Sequence, residues 1–280
     1  MSENNTVNKI YPTIKNAIIL CIIFLGLQTG IGIIIGVIIG LLGIGIDSIQ
    51  YGIGTIFANL LSFVLVIFIG CKKSHKKLSE IFVIKNVTFS LWIAVIVFTF
   101  GLVIVSSEID NLVSYLIPKP EFFQQLFGTI VENKYIAISI ILVGLMPAFG
   151  EEMMFRGVIL GGFKDNYTNK KAIIVSALLF GIVHLNPWQF VTAFIFGIIV
   201  GWVCLKTKSL LLCIYMHLFN NMTSVILIRL EDVIPIKGFN TTSPEYAFQP
   251  LWFDAAGIIL TGIGVLLFFH GINKAKTVTQ

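Results

Sequence analysis

Long apolar runs recur through the whole chain, and they constrain its fold more than any other feature of the sequence. A helix needs about 20 mainly apolar residues to cross the hydrocarbon core of a membrane. Eight stretches approach or exceed that length, and short polar segments separate them. They cover approximately residues 17–46, 52–70, 88–107, 135–163, 172–186, 188–204, 209–228 and 251–271. The sequence therefore predicts an all-α, polytopic transmembrane helical bundle of about eight spans.

The scarcity of charge agrees with a membrane location. Only 12% of the residues are charged, whereas a soluble globular protein carries about 25%. The net charge of +5 comes from scattered basic residues, so we expect membrane lipids and no nucleic acid as partners. Residues 1–280 show no internal repeat and are interpreted as a single integral membrane domain. The Ile-, Lys- and Asn-rich composition favours a multi-pass protein of a bacterial plasma membrane.

The distribution of basic residues predicts the orientation of the bundle. If the amino terminus is cytoplasmic, the inner segments hold fourteen lysines and the outer loops hold four basic residues. Basic residues concentrate in the cytoplasmic loops of membrane proteins. This bias requires an even number of spans, and it places both the N-terminus and the C-terminus in the cytoplasm.

Two adjacent glutamates, Glu151 and Glu152, interrupt the fourth apolar stretch, and Arg156 follows one helical turn later. An ionisable residue inside a span costs roughly 2.5–3.5 kcal/mol, so it usually has a function or a partner. Residues four apart share a helix face, which pairs Glu152 with Arg156 and leaves Glu151 on another face. We therefore expect Glu151 to be available for chemistry. The alternative is that the charges only hold helices together.

Three further polar residues, His184, His217 and Asn221, lie within later apolar stretches. A lone histidine such as His184 is more often a core residue, and the other two have interhelical hydrogen bonding as an alternative role. At about 1.5 Å per residue from the cytoplasmic ends, Glu151, His184 and Asn221 lie about 20 Å deep and His217 about 14 Å deep. Such a set can take a proton from water and stabilise an oxyanion, which is what peptide hydrolysis requires.

The polar residues form three ordered signatures on separate predicted helices. They are Glu151-Glu152-x-x-x-Arg156, then Phe180-x-x-x-His184, then His217-x-x-x-Asn221. Together they resemble the CAAX-protease and bacteriocin-processing family of intramembrane endopeptidases, also called the Abi group. The resemblance extends over about residues 135–228, which we interpret as the catalytic core.

The resemblance implies a role for each signature residue. Glu151 would activate the attacking water with help from His184, and His217 and Asn221 would form the oxyanion hole. Glu152 and Arg156 would be structural and orienting.

Metal dependence is left open by the spacing of these residues. The family is often described as metalloprotease-like, and a catalytic zinc usually takes three protein ligands and one open position. Glu151, His184 and His217 are the candidate ligands for Zn²⁺, although the sequence contains no HExxH motif. We expect no required cofactor, with Zn²⁺ as the alternative.

We therefore expect a CAAX prenyl protease-like intramembrane endopeptidase that hydrolyses a peptide bond in a membrane-associated protein or peptide. Its site would be reached from the cytoplasmic side or within the bilayer. The first alternative is a non-catalytic bacteriocin-immunity or membrane interaction protein. The second is a transporter, which would favour inverted repeats; the ionisable residues within the spans lie in one half of the chain, which argues against it.

Overall fold

The computed structural model describes residues 10–46, 48–131, 134–241 and 247–277, and the regular structure in these ranges is helical. The described helices are α1 (Ile14–Leu41), α2 (Ile49–Ser74), α3 (Leu78–Ile81), α4 (Phe89–Leu116), α5 (Glu121–Val131), α6 (Ile136–Asn166), α7 (Asn169–Ile182), α8 (Pro187–Thr207), α9 (Leu210–Arg229) and α10 (Leu251–Thr277). The predicted all-α, polytopic membrane bundle is confirmed.

The number of membrane crossings differs from the predicted eight. Within the described ranges, seven helices are long and apolar enough to span a membrane, and α7 is not among them. It has 14 residues and is therefore about 21 Å long, against roughly 30 Å of hydrocarbon. The apolar stretch at 172–186 thus forms a short helix followed by non-helical backbone. The count of eight spans and the cytoplasmic termini stay predictions.

One end of the bundle gathers the lysine-bearing helix ends, and we call it the lysine-rich face. It is defined by Lys72, Lys73, Lys76, Lys77, Lys85, Lys164, Lys170, Lys171, Lys206, Lys208 and Lys274. Several contacts join its segments. The backbone at Val83 and Lys85 pairs with that at Lys208 and Leu210, and Lys76 forms an ion pair with Asp165 at the end of α6.

The opposite end is joined by a different set of hydrogen bonds. The Trp188 indole donates to the Ile117 carbonyl at 2.6 Å, which joins the start of α8 to the end of α4. The Asn111 side chain donates to the Gly238 carbonyl at 2.6 Å. The two ends of the bundle are therefore fixed independently, and the polar residues of the signatures lie between them.

Glycines allow α4 and α10 to pack closely along their length. A Cβ atom at Gly101 would collide with the backbone of Thr261, and one at Gly264 would collide with the backbone of Phe98. Small residues of this kind let helix backbones approach each other in membrane proteins.

Replacing Gly264 tests this packing, because the residue gains only a methyl group. We expect Gly264→Ala to lower stability by about 1–3 kcal/mol, the usual effect of overpacking a core. The measurement is thermal unfolding in detergent. The matched control is Gly262→Ala on the same helix, where a Cβ meets nothing within 4 Å, so no loss is expected. Equal melting temperatures for the two variants would contradict the close packing.

Candidate active site

A buried carboxylate, Glu152, lies at the centre of the polar cluster and contacts two other helix positions. Its Oε1 is 2.9 Å from Nη1 of Arg156, the residue four positions later on α6. The same oxygen is 2.8 Å from Nδ1 of His217 on α9. Because a carboxylate accepts hydrogen bonds, His217 donates from Nδ1, and its Nε2 is directed elsewhere. Glu152 therefore both pairs with Arg156, as the spacing predicts, and orients His217, which the spacing did not indicate.

Glu151 lies on the other side of the His217 ring. Its Oε2 is 4.0 Å from Nε2 of His217, and its side chain is 17% exposed, whereas that of Glu152 is fully buried. Both nitrogens of His217 thus face a carboxylate. The neighbouring Gly150 packs against the ring of Phe63 on α2, since a Cβ there would overlap that ring. This packing fixes α6 at the position of the glutamates.

His184 follows the end of α7, where the chain turns towards α8. Its Nδ1 is 2.8 Å from the Phe180 carbonyl. A carbonyl can only accept, so Nδ1 carries the proton, and Nε2 of the neutral ring keeps a lone pair. The next residue, Leu185, has φ of 56°, a left-handed conformation that costs a non-glycine residue roughly 1–2 kcal/mol. Asn186 then caps α8 by accepting a hydrogen bond from the Gln189 backbone at 2.8 Å.

The Asn221 side chain is held by a backbone carbonyl that lacks its usual helical N–H donor because of a proline. Pro147 has no N–H, so the carbonyl four residues earlier, that of Val143, lacks the usual α-helical donor. Nδ2 of Asn221 donates to this carbonyl at 2.8 Å. Val143 lies in a π-helical stretch, Ile140–Leu145, and such stretches often occur at functional sites. The Asn220 amide donates to Oδ1 of Asn221 at 3.0 Å and further fixes its orientation.

A cavity of about 380 Å³ lies beside these residues, between α4, α6, α8 and α9. Its wall includes His184, His217 and Asn221 but not Glu151. This volume lies within the usual range of small-ligand sites. The structure therefore brings three of the four predicted catalytic residues to one space and places the fourth next to His217.

Aromatic rings form the packing around the histidines. Phe180 contacts the ring of His184 at a centroid distance of 5.2 Å and that of His217 at 6.0 Å. The guanidinium of Arg156 also lies over the Phe180 ring, 4.6 Å from its centroid. Phe196 packs edge-on against His217 at 5.4 Å. Phe180 is the first residue of its signature, and its contact with both histidines gives that position a physical meaning that sequence reasoning missed.

The proposed zinc ligands do not form a three-ligand site in this arrangement. In the described part of the chain, no three His, Cys, Asp or Glu side chains lie close enough together to hold a metal ion. Glu151 lies 4.0 Å from His217. His184 is related to them only because it lines the same cavity as His217. Catalysis without a cofactor, with Zn²⁺ as the alternative, stays a prediction.

Residues 133–223 match the family model described as type II CAAX prenyl endopeptidase Rce1-like. The match covers 91 of the 280 residues and shows that this segment is similar to the Rce1-like family. The matched Rce1-like segment contains all three signatures, from Glu151 to Asn221. The family resemblance stated from the sequence is thus confirmed.

Curated proteins similar to this chain come from Bacillus and Listeria. "Uncharacterized protein YyaK" of Bacillus subtilis is 24% identical over 177 residues, covering 59% of this chain and 58% of the relative. "Putative membrane peptidase YdiL" of the same organism is 28% identical over 98 residues, 35% of this chain and 40% of the relative. "Putative sugar uptake protein lmo0424" of Listeria monocytogenes is 26% identical over 137 residues, which cover 48% of this chain and 47% of the relative.

The chain spans about half the length of the curated relatives it matches. No solved structure matches it significantly. The resemblance to the Rce1-like family therefore rests on residues 133–223, and the activity of the whole protein is a proposal.

Removing Arg156 tests the buried ion pair. We expect Arg156→Leu to destabilise the protein by about 3–5 kcal/mol, because the buried Glu152 carboxylate loses its guanidinium partner. Thermal unfolding in detergent measures the effect, and Lys164→Leu, at an exposed position of the same helix, is the control, with a change within about 0.5 kcal/mol.

The double variant Glu152→Gln/Arg156→Leu removes both charges of the pair. It should melt at a higher temperature than Arg156→Leu alone. A double variant that is no more stable than the single one would show that the charge of Glu152 is not what destabilises the protein.

Proposed function

We propose that this chain is an intramembrane endopeptidase of a bacterial plasma membrane, which hydrolyses a peptide bond in a membrane-associated protein or peptide. The observation that carries the proposal is the shared cavity, where two imidazoles and an amide meet beside a pair of glutamates. The match of residues 133–223 to the Rce1-like family model and the peptidase name of one Bacillus relative support it. Membrane lipids and the peptide substrate are the proposed partners.

Water activation is assigned to His184 and Glu151. The hydrogen bond from Nδ1 of His184 to Phe180 leaves Nε2 as a proton acceptor, and His184 lines the cavity. Glu151 is the second acceptor, and its partly exposed side chain has room to turn towards a bound substrate. Catalytic contacts are often long before substrate binds, so the present 4.0 Å separation from His217 is compatible with this role.

Oxyanion stabilisation is assigned to His217 and Asn221. His217 donates from Nδ1 to Glu152, so oxyanion stabilisation by this ring uses its protonated form, in which both nitrogens carry a hydrogen. Its Nε2–H would then donate to the developing oxyanion. Asn221 uses one amide hydrogen on Val143 and keeps the other for the same purpose.

The reaction then runs as a balanced hydrolysis. Water gives a proton to the Glu151–His184 base, and the resulting hydroxide attacks the carbonyl carbon of the scissile bond. The tetrahedral oxyanion is stabilised by His217 and Asn221. Its collapse breaks the C–N bond, and the base returns the proton to the leaving nitrogen.

Replacing Glu151 with Gln keeps the size of the side chain and removes its basicity. We expect loss of detectable cleavage when the purified variant in detergent is incubated with a peptide library, with an unchanged melting temperature. The matched control is Glu80→Gln, because Glu80 is an exposed glutamate far along the chain from the cavity. Cleavage by Glu151→Gln at the wild-type rate would refute the proposed mechanism.

The two adjacent asparagines provide a comparison of the oxyanion donor with its neighbour. We expect Asn221→Ala to lower kcat about 10²–10³-fold, the usual effect of removing one oxyanion donor, with little change in KM. Asn220→Ala removes the hydrogen bond that orients Asn221 but leaves the Asn221 amide in place, so a smaller loss of kcat is expected. The measurement is steady-state cleavage of one peptide by both variants, and equal losses would argue against donation by Asn221.

A bacteriocin-immunity role would show a different pattern. In that case the variants Glu151→Gln, His184→Ala and His217→Ala would keep any protective phenotype of the wild-type protein. Loss of protection together with loss of cleavage would connect the phenotype to hydrolysis.

A further inference from the structure

The cavity beside the histidines extends along the helices in one direction only. On α9, which begins at the lysine-rich face, His217 lies about 10 Å from Leu210, whereas Ile228 lies about 27 Å away. Both line the cavity. On α4 the lining begins with Val103, about 21 Å from Phe89, and continues to Asp110 at about 32 Å. The cavity therefore runs from the catalytic residues away from the lysine-rich face.

The inner end of the cavity is closed by packed side chains. Phe180 and Phe196 are 2% and 7% exposed, and the Arg156 guanidinium lies against the Phe180 ring. A second cavity, of about 290 Å³, lies beyond this layer and is lined by Arg156, Lys164 and Lys208. None of His184, His217 and Asn221 lines this second cavity. A molecule that enters it from the lysine-rich face therefore does not reach them in this structure.

The outer end of the cavity is polar and partly exposed. The Asp110 side chain, 32% exposed, pairs with Lys119 at 2.5 Å, and Ser107 and Gln189 line the cavity with partial exposure. Phe239, from the segment between α9 and α10, also lines it. This end of the cavity is directed towards the face of the membrane opposite the lysines.

Basic residues mark the cytoplasmic side of a membrane protein, so the opposite face is extracytoplasmic. We propose that the cavity receives its substrate from the extracytoplasmic face, as a polypeptide segment that reaches in from that side. This rests on the proposed peptidase function for the identity of the substrate but not for the direction of access. It differs from the cytoplasmic or intrabilayer access that the sequence predicts.

Ten of the twenty lining side chains carry hydrogen-bonding groups and ten are apolar, a mixture that suits a peptide. Serine and threonine hydroxyls and Asn and Gln amides can hydrogen-bond to an extended backbone. The residues concerned are Ser106, Ser107, Thr192, Ser224, Gln189 and Asn220. A lipid chain would instead favour an apolar lining. Exported peptides and extracytoplasmic tails of membrane proteins are the substrate class that fits both the chemistry and the direction.

Cysteine labelling of the protein in its native membrane tests the direction of access. In a Cys71→Ser/Cys204→Ser background, only the buried thiols of Cys21 and Cys213 remain. Three matched serine-to-cysteine variants then report on the cavity and on the lysine-rich face: Ser107→Cys, Ser224→Cys and Ser79→Cys. A membrane-impermeant maleimide is applied to right-side-out vesicles and to inside-out vesicles of the same cells.

We expect Ser107→Cys to be labelled at least tenfold faster in right-side-out than in inside-out vesicles, with Ser224→Cys showing the same preference. Ser79→Cys, an exposed position beside the lysines, should show the reverse. Labelling of the cavity cysteines only in inside-out vesicles, or from neither side, would overturn the proposal. So would labelling of Ser79→Cys from outside, because the lysine-rich face would then not be cytoplasmic.

The labelling result is independent of the proposed peptidase activity. Adding Glu151→Gln to the same background should abolish cleavage and leave the labelling pattern unchanged. If wild-type protein cleaves no peptide while the cavity cysteines are labelled from outside, the peptidase proposal fails and the access route stands. The converse result, cleavage with labelling only from the inside, leaves the peptidase and removes the access route.

Discussion

One carboxylate oxygen, Oε1 of Glu152, determines the arrangement of the whole site. It lies 2.9 Å from Nη1 of Arg156 on its own helix and 2.8 Å from Nδ1 of His217 on α9. A buried carboxylate without such partners would be strongly destabilising. The contact therefore joins two helices and fixes the ring of His217. That ring in turn positions Nε2 next to Glu151 and at the wall of the cavity.

Much of the architecture could be predicted from the sequence, because its causes are local. Membrane helices are marked by the length of their apolar runs, and the Glu152–Arg156 ion pair follows from a spacing of four. The short length of α7 was harder to see, since residues 172–186 are apolar throughout although the helix ends at Ile182. Asn186 and Pro187 mark the start of the next helix, and they were the available signal for this boundary.

The long-range contacts of the site could not be read from spacing. The bond from His217 to Glu152 joins residues 65 positions apart, and that from Asn221 to Val143 joins residues 78 apart. Pro147 gave a partial signal for the second bond, because a proline always leaves one earlier carbonyl without its helical donor. The direction of the cavity is also a tertiary property. It depends on which gaps the aromatic rings fill, and periodicity carries no information about that.

The short helix α7 has a consequence for the hydration of the bilayer. Where the helix ends, the backbone around His184 leaves the α-helical pattern, and its groups bond instead to the Gly181 carbonyl and to the Asn186 amide. Irregular backbone at this depth is tolerated beside a water-filled space. The end of α7 lies at the cavity wall, where water has room beside this irregular backbone. The proposed hydrolysis needs water at this depth as its second reactant.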